Sequence, residues 1–159
     1  MKSIVLVNPN FEDSPLVRKG GIGIFFPNLG IDSIYTNLKS KYPDLPLLVV
    51  DGVLHNLGNE QTKEDILKKE PRIVGFSTTY MTLQDSLHII REIKKENPEV
   101  ITLLGGVGAK SLKALSKGAD VNGLDYCVIG DGENIFEKII KESKKQNKTI
   151  YLQDIIYDL

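Results

Sequence analysis

The sequence predicts an α/β protein built on one parallel sheet with helices wound on both faces. Three observations carry that expectation. Short, β-branched apolar runs alternate five times with amphipathic stretches. The apolar runs are continuous rather than alternating, the pattern of strands covered on both faces. The connections are short, and 159 residues suit one domain with a single core and are too few for two ordinary ones.

Taken in order, SIVLVN (3–8), LPLLVVD (45–51), RIVGFS (72–77), VITLLG (100–105) and DYCVIG (125–130) read as the strands. The intervening stretches, NLGIDSIYTNLKSKY (28–42), NEQTKEDILKKE (59–70), TLQDSLHIIREIKKEN (82–97), AKSLKALSKG (109–118) and DGENIFEKIIKESKKQ (131–146), read as helices. In the third, Leu83, Leu87 and Ile90 recur at i, i+4 and i+7, while Arg91, Glu92, Lys94 and Lys95 face water. Strand and helix repeated with right-handed crossovers leave few topologies. The expected fold is a Rossmann-like, flavodoxin-like, doubly wound five-stranded parallel sheet over residues 1–146. A short C-terminal extension, 147–159, follows it. TIYLQDIIYDL (149–159) reads as an extra edge strand, an arm toward something absent, or a frayed tail.

Composition narrows the partners. Twenty Lys and Arg against 21 Asp and Glu leave a net charge of −1, so no overall field draws in a polyanion, and nucleic acid is not an expected partner. No apolar run approaches the roughly 20 residues that span a bilayer, and MKSIVLVNPN lacks the features of a signal peptide. A cytoplasmic protein with no membrane partner is expected. The single cysteine, Cys127, lies inside an apolar run and reads as a small buried hydrophobe. One cysteine cannot build an iron–sulfur cluster or a cysteine-based zinc site from this chain alone.

In doubly wound sheets, ligands bind outside the carboxyl ends of the strands. The segments to inspect are therefore NPNFED, DGVLHNLGNE, STTYMT, GGVGAK and GDGENIF. Gly105 and Gly106 permit a flat group, or a polar tail, to lie against bare backbone; the alternative is a tight turn into the next helix. Ser77, Thr78 and Thr79 place three hydroxyls at one strand tip, where they hydrogen-bond a ligand or cap a helix, and Thr82 is placed to cap the helix itself. Gly130, Asp131, Gly132 and Glu133 bring backbone N–H groups and a helix N-terminus to the same edge. The two acids argue against a bound phosphate. They suit caps, acceptors for ligand amides, or contacts to a neighbouring domain.

Rival chemistries fit less well. GGIGIF (20–25) with Asp51 suggests dinucleotide binding, but the glycines do not follow the first strand directly and the third glycine position is Phe26. A phosphorelay receiver needs acids where Asn8 and Ser77 stand. Neither His55 nor His88 pairs with a nucleophile, and the chain shows no catalytic machinery of its own. A non-catalytic regulatory or interaction domain stays open. The lysines at 138, 141, 144, 145 and 148 read as a solvated helix face.

The ordered set VNPN, FPNLGIDSIYTNL, VGFSTTYMTLQDSLHIIREIK, LLGGVGAK and DYCVIGDGENIFEKII resembles the amino-terminal cobalamin-binding domain of cobalamin-dependent radical S-adenosylmethionine enzymes, over roughly residues 3–145. The resemblance implies a corrin ring held across the strand ends, with the nucleotide tail threaded into a cleft beside the glycine pair. By position, Asn8, Pro9 and Asn10 line the ring's edge. Ser77, Thr78 and Thr79 bond the tail or corrin amides, with Tyr80 nearby; Gly105 and Gly106, followed by Val107, admit close approach; Gly130 to Glu133 border the ring. Asn10 and Asp131 depart mildly from the Pro-Pro and Gly-Glu-Gly-Glu turns common in that family. No Asp-x-His-x-x-Gly pattern supplies a histidine to cobalt, so the resemblance implies base-off cobalamin, with Tyr80 and His55 as residues near its lower face and His55 as a remote cobalt ligand. Such enzymes use an iron–sulfur cluster and S-adenosylmethionine in a catalytic domain. Here that domain would follow Leu159 or form a separate subunit. The implied activity of the whole is methyl transfer to a substrate radical.

Overall fold

A computed structural model of the chain describes residues 2–11, 28–115 and 121–143. Five strands, β1 (Ser3–Asn8), β2 (Leu47–Asp51), β3 (Pro71–Ser77), β4 (Ile101–Gly105) and β5 (Tyr126–Cys127), alternate with helices α1 (Leu29–Lys41), α2 (Asn59–Leu67), α3 (Leu83–Glu96), α4 (Val107–Leu115) and α5 (Gly132–Ser143). The sheet order is β2-β1-β3-β4-β5 and every pairing is parallel. The doubly wound five-stranded sheet expected from the sequence is therefore present. The chain steps outward from β1 to β2, then back across to β3, so the switch of direction lies between β1 and β3.

The two-residue period of a strand sorts side chains onto the two faces. Val5, Val7, Val50, Val74, Leu104 and Cys127 form one core with Ile66 of α2 and Leu83, Leu87, Ile90 and Ile93 of α3. Ile4, Leu6, Leu47, Ile73, Leu103 and Tyr126 form the other with Ile31 and Leu38 of α1 and Phe136, Ile139 and Ile140 of α5. Each such side chain, removed from water, contributes about 1.5–3 kcal/mol. The recurrence of Leu83, Leu87 and Ile90 thus marks the buried stripe of α3, as the sequence predicts.

Polar ties hold the helices in register over the sheet. Glu137 of α5 accepts hydrogen bonds from Lys41 (2.7 Å) and Tyr42 (3.0 Å) at the end of α1, and from Lys141 (2.6 Å) one turn on. Lys63 of α2 bonds Glu60 and reaches Glu96 of α3 at 2.7 Å. The start of β5 is pinned by Asp125, whose Oδ2 accepts from the Thr102 N–H (2.8 Å) and pairs with Lys94 (2.7 Å).

Three expectations need correction. The fifth strand spans only Tyr126–Cys127 rather than 125–130, because its one neighbour, β4, turns away at Gly106, where φ is +82°; the Val128 N–H still reaches the Leu104 carbonyl at 2.8 Å. The second strand is not covered on both faces: it is the sheet edge, and Leu48 and Val49 are 40% and 41% exposed. Thr82 occupies the N-cap position of α3 without making a side-chain cap. Its hydroxyl accepts instead from the Thr79 N–H at 3.0 Å. The segments 20–25 and 144–159, including Lys144, Lys145, Lys148 and the C-terminal extension, lie outside the described residues. Among the described residues no helix is long and apolar enough to cross a membrane.

Candidate functional site

Adjacent registers make the site. Leu6, Gly75 and Leu103 form one row across β1, β3 and β4, facing α1 and α5. Two residues further along the same strands stand Asn8, Ser77 and Gly105, which therefore share that face at the carboxyl tip. Gly75 leaves a notch in the middle of the row. Phe136 of α5 fills it: a β-carbon on Gly75 would lie 2.2 Å from the Phe136 Cζ. Beyond this ring, toward the strand tips, a cavity of about 220 Å³ opens between the N-terminal ends of α1 and α5.

The cavity has an apolar floor of Leu6, Ile31, Leu103, Val128 and Phe136, and a polar mouth of Ser77, Asp131 and Glu133. Among the described residues lining it there is no Lys, Arg or His. Glu133 accepts a hydrogen bond from the Ser33 hydroxyl, and this bond together with its own backbone N–H at the start of α5 holds its carboxyl below the usual carboxylate range. Gly132 faces Ile34 of α1, and a β-carbon there would lie 2.8 Å from Ile34 Cδ1, a side-chain tip that can move aside.

A hydrogen-bonded chain joins the tips of β2, β1 and β3. Asn8 Nδ2 donates to Asp51 Oδ1 (3.0 Å), Asn28 Nδ2 donates to Asn8 Oδ1 (3.0 Å), and the Ser77 hydroxyl donates to Asn28 Oδ1 (3.1 Å). Asn28 is also the N-cap of α1, accepting from the Ile31 N–H at 3.2 Å.

The glycines after β4 divide by role. Gly106 would place a β-carbon 2.5 Å from the Thr78 carbonyl oxygen, and Gly108 one 2.4 Å from that of Thr79. Both are required by the approach of the chain's own backbone, since the Gly108 N–H donates to Thr78 O at 2.9 Å and the Thr78 N–H to Gly105 O at 2.8 Å. Gly105 differs. A β-carbon there would meet nothing closer than Val128 at 3.7 Å, and this position borders the cavity.

The structure gathers Ser77, Gly105, Gly106, Gly130, Asp131, Gly132 and Glu133 around one cavity. The other residues singled out in the sequence lie beside it. Asn8 is taken up in the hydrogen-bonded chain; Pro9 and Asn10 are buried, with Asn10 Oδ1 accepting from the Phe11 N–H at 2.9 Å. The Thr78 hydroxyl donates to Gly105 O (2.9 Å), and Thr79 pairs with Thr82. Tyr80 and Val107 are exposed on the same edge, as are Leu29, Leu54 and Met81. His55 is exposed in the turn after β2 and does not line the cavity. Sequence reasoning passed over Asn28, Gly75 and Phe136. An Asn immediately before an amphipathic stretch signals an N-cap, and a lone Gly inside a strand signals close approach.

Residues 28–140 match the family model described as B12 binding domain. The chain belongs to the B12-binding domain family. No curated protein matches it. As a B12-binding domain it binds cobalamin, a cofactor with two parts of different shape, a broad corrin macrocycle and a nucleotide tail. The residues fit both. At about 220 Å³ the cavity is smaller than the roughly 300–1,000 Å³ of whole-ligand pockets, which suits one flat heterocyclic arm on an apolar floor. The strand tips outside, where Leu29, Leu54, Tyr80, Met81 and Val107 are each more than half exposed, offer apolar contact of the kind a broad flat ring would need. The carboxylates of Asp131 and Glu133 offer acceptors for corrin amide N–H groups.

Proposed function

We propose that this B12-binding domain is the cofactor-holding module of a radical S-adenosylmethionine enzyme, in which it carries base-off cobalamin for methyl transfer. The observation that carries the reading is the cavity beside Gly105, walled by the first turns of α1 and α5 and opening onto an apolar edge. The ordered motifs of VNPN, STTYMT, GGVGAK and GDGENIF add to it. When bound, cobalamin supplies a carrier for a one-carbon group.

The chain's own part is to grip and orient. Leu6, Leu103, Val128 and Phe136 exclude water from the tail, and Ser77 gives it one polar anchor. The turn made by Gly106 and Gly108 holds the β3–α3 loop down, so that Tyr80 and Met81 stand at the rim. The partner is a catalytic domain carrying an iron–sulfur cluster and S-adenosylmethionine, on the same polypeptide or on another. It would cover the macrocycle on the face away from the sheet.

Titration of the purified chain with hydroxocobalamin and with cobinamide, which lacks the nucleotide tail, tests the reading. One equivalent of hydroxocobalamin is taken up with the absorbance change of base-off cofactor. Cobinamide binds at least about tenfold more weakly, having no ring to bury in the cavity. Equal affinities would place the tail outside the cavity and end the proposal. Addition of a radical S-adenosylmethionine partner should then yield methylated product only with the cobalamin-loaded chain.

A further inference from the structure

Phe136 fills a place in the cavity floor that belongs to another residue. Leu6 and Leu103 rise from the sheet itself, in ladder positions on either side of Gly75. Between them Gly75 contributes no side chain, and the space above it would continue the cavity down to the backbone of β3. The Phe136 ring enters that space from α5: a β-carbon on Gly75 would lie 2.2 Å from its Cζ, 3.0 Å from Cε2 and 3.2 Å from Cε1. The tip of the ring therefore meets the sheet. The helix is anchored where the ring leaves it. Glu137, the next residue, accepts hydrogen bonds from Lys41 and Tyr42 at the end of α1, and Ile139 and Ile140 are buried less than one turn on.

We infer that Phe136 is a depth stop, which sets the largest tail base the chain accepts at two fused rings. A cavity of about 150 Å³ holds one benzene ring. At about 220 Å³ this one has room for a second fused ring and not for a third. Shortening Leu6 or Leu103 would open a hole of one side chain, whereas shortening Phe136 joins the cavity to the notch over Gly75 as well. This inference rests on the reading of the cavity as the tail site, and it adds a limit on which corrinoids fit. A tail that ends in one ring leaves part of the apolar floor uncovered. One that ends in three meets the phenyl ring before it is seated.

The test compares corrinoids that share the macrocycle and differ in the tail base: one aromatic ring, two fused rings as in cobalamin, three fused rings, and cobinamide with no base. Absorbance titration of the purified chain gives the affinities. The two-ring tail binds about tenfold more tightly than the one-ring tail, which buries less apolar area, and about tenfold more tightly than the three-ring tail, which overpacks the floor. Phe136→Leu, which keeps α5 apolar at this position, raises the affinity for the three-ring tail at least about tenfold relative to the two-ring tail. Ile139→Val, on the same helix and in the same core but away from the cavity, leaves the order unchanged. Thermal melting establishes that both variants fold; should Phe136→Leu not fold, Phe136→Met, nearer in volume, gives the same change in smaller measure. Equal affinities of the two-ring and three-ring tails for the parent chain, or an order that Phe136→Leu leaves untouched, would overturn the inference. Tailed corrinoids that all outcompete cobinamide whatever their ring number leave the tail site standing and remove only the depth stop. Cobinamide binding as tightly as any of them ends both.

Discussion

The ring of Phe136 rests on the bare backbone of Gly75, closing one end of the cavity that Gly105 borders at the other. The contact ties α5 to the centre of the sheet. Gly75→Ala would drive the phenyl ring from its seat into the cavity that both residues line. Overpacking of this kind costs about 1–3 kcal/mol, and the displaced ring occupies the space for the tail. Urea denaturation should show the loss, and hydroxocobalamin affinity should fall about tenfold or more. Adding Phe136→Leu to Gly75→Ala should recover part of both. If the single variant binds normally, the cavity is not where the tail sits.

The three glycines after β4 should separate into two kinds. Gly106→Ala combines a φ of +82° with a contact of 2.5 Å to backbone, and Gly108→Ala a contact of 2.4 Å to backbone. Neither obstacle is a movable side chain, so each substitution should lower stability by about 2 kcal/mol or more. Gly105→Ala meets only ordinary contacts and should stay within about 0.5 kcal/mol of the parent. Gly105→Leu, by contrast, should leave the fold measurable by thermal melting while abolishing cobalamin uptake. A stable Gly106→Ala would contradict the account of the β4–α4 turn.

How much of this was legible in the sequence follows from which signals are local. The alternation of RIVGFS and VITLLG with amphipathic stretches is a local pattern, and it produced the five parallel strands and their wound helices. The carboxyl-edge rule then singled out Ser77, Gly105 and the Gly130–Glu133 turn, which the structure brings to one cavity. What stayed hidden depends on partners distant in the chain. That Gly75 receives Phe136 from 61 positions away, or that the Thr78 hydroxyl is spent on the Gly105 carbonyl, needs the sheet order first. The same holds for Gly106, whose constraint comes from Thr78 on the neighbouring strand's loop rather than from a ligand. Edge exposure of Leu48 and Val49 was hidden too, since LPLLVVD is as apolar as a central strand.

Asn28 does two jobs, and removing it should expose both. As N-cap of α1 it accepts from Ile31, and Asn to Ala at such positions costs about 1 kcal/mol. It also leaves the Asn8 carbonyl oxygen and the Ser77 hydroxyl without their mutual bridge. Asn28→Ala should therefore lose more stability than the cap alone, by about a further 1 kcal/mol for the two bonds. Asn28→Ser restores only the cap and should recover only that share. Equal stability of the two variants would show that the bridge between strand tips contributes nothing.

Acid should loosen the tie between α1 and α5 over a defined range. Lys141, Lys41 and Tyr42 all donate to Glu137, and they hold its carboxyl at about 2 instead of the ordinary 4.5. Because the folded value lies below the unfolded one, the stabilisation is complete above about pH 4.5 and is lost as pH falls toward 2. Glu137→Gln removes this dependence, leaving a neutral acceptor between the same donors. Melting temperatures measured from neutral pH downward should thus show the parent more stable than the variant at neutral pH, with the two curves converging below about pH 3. Added salt should narrow the gap at neutral pH, as the lysines stand at the surface. Parallel curves across the whole range would mean that the Glu137 pairs, though present, do not couple the helices to folding.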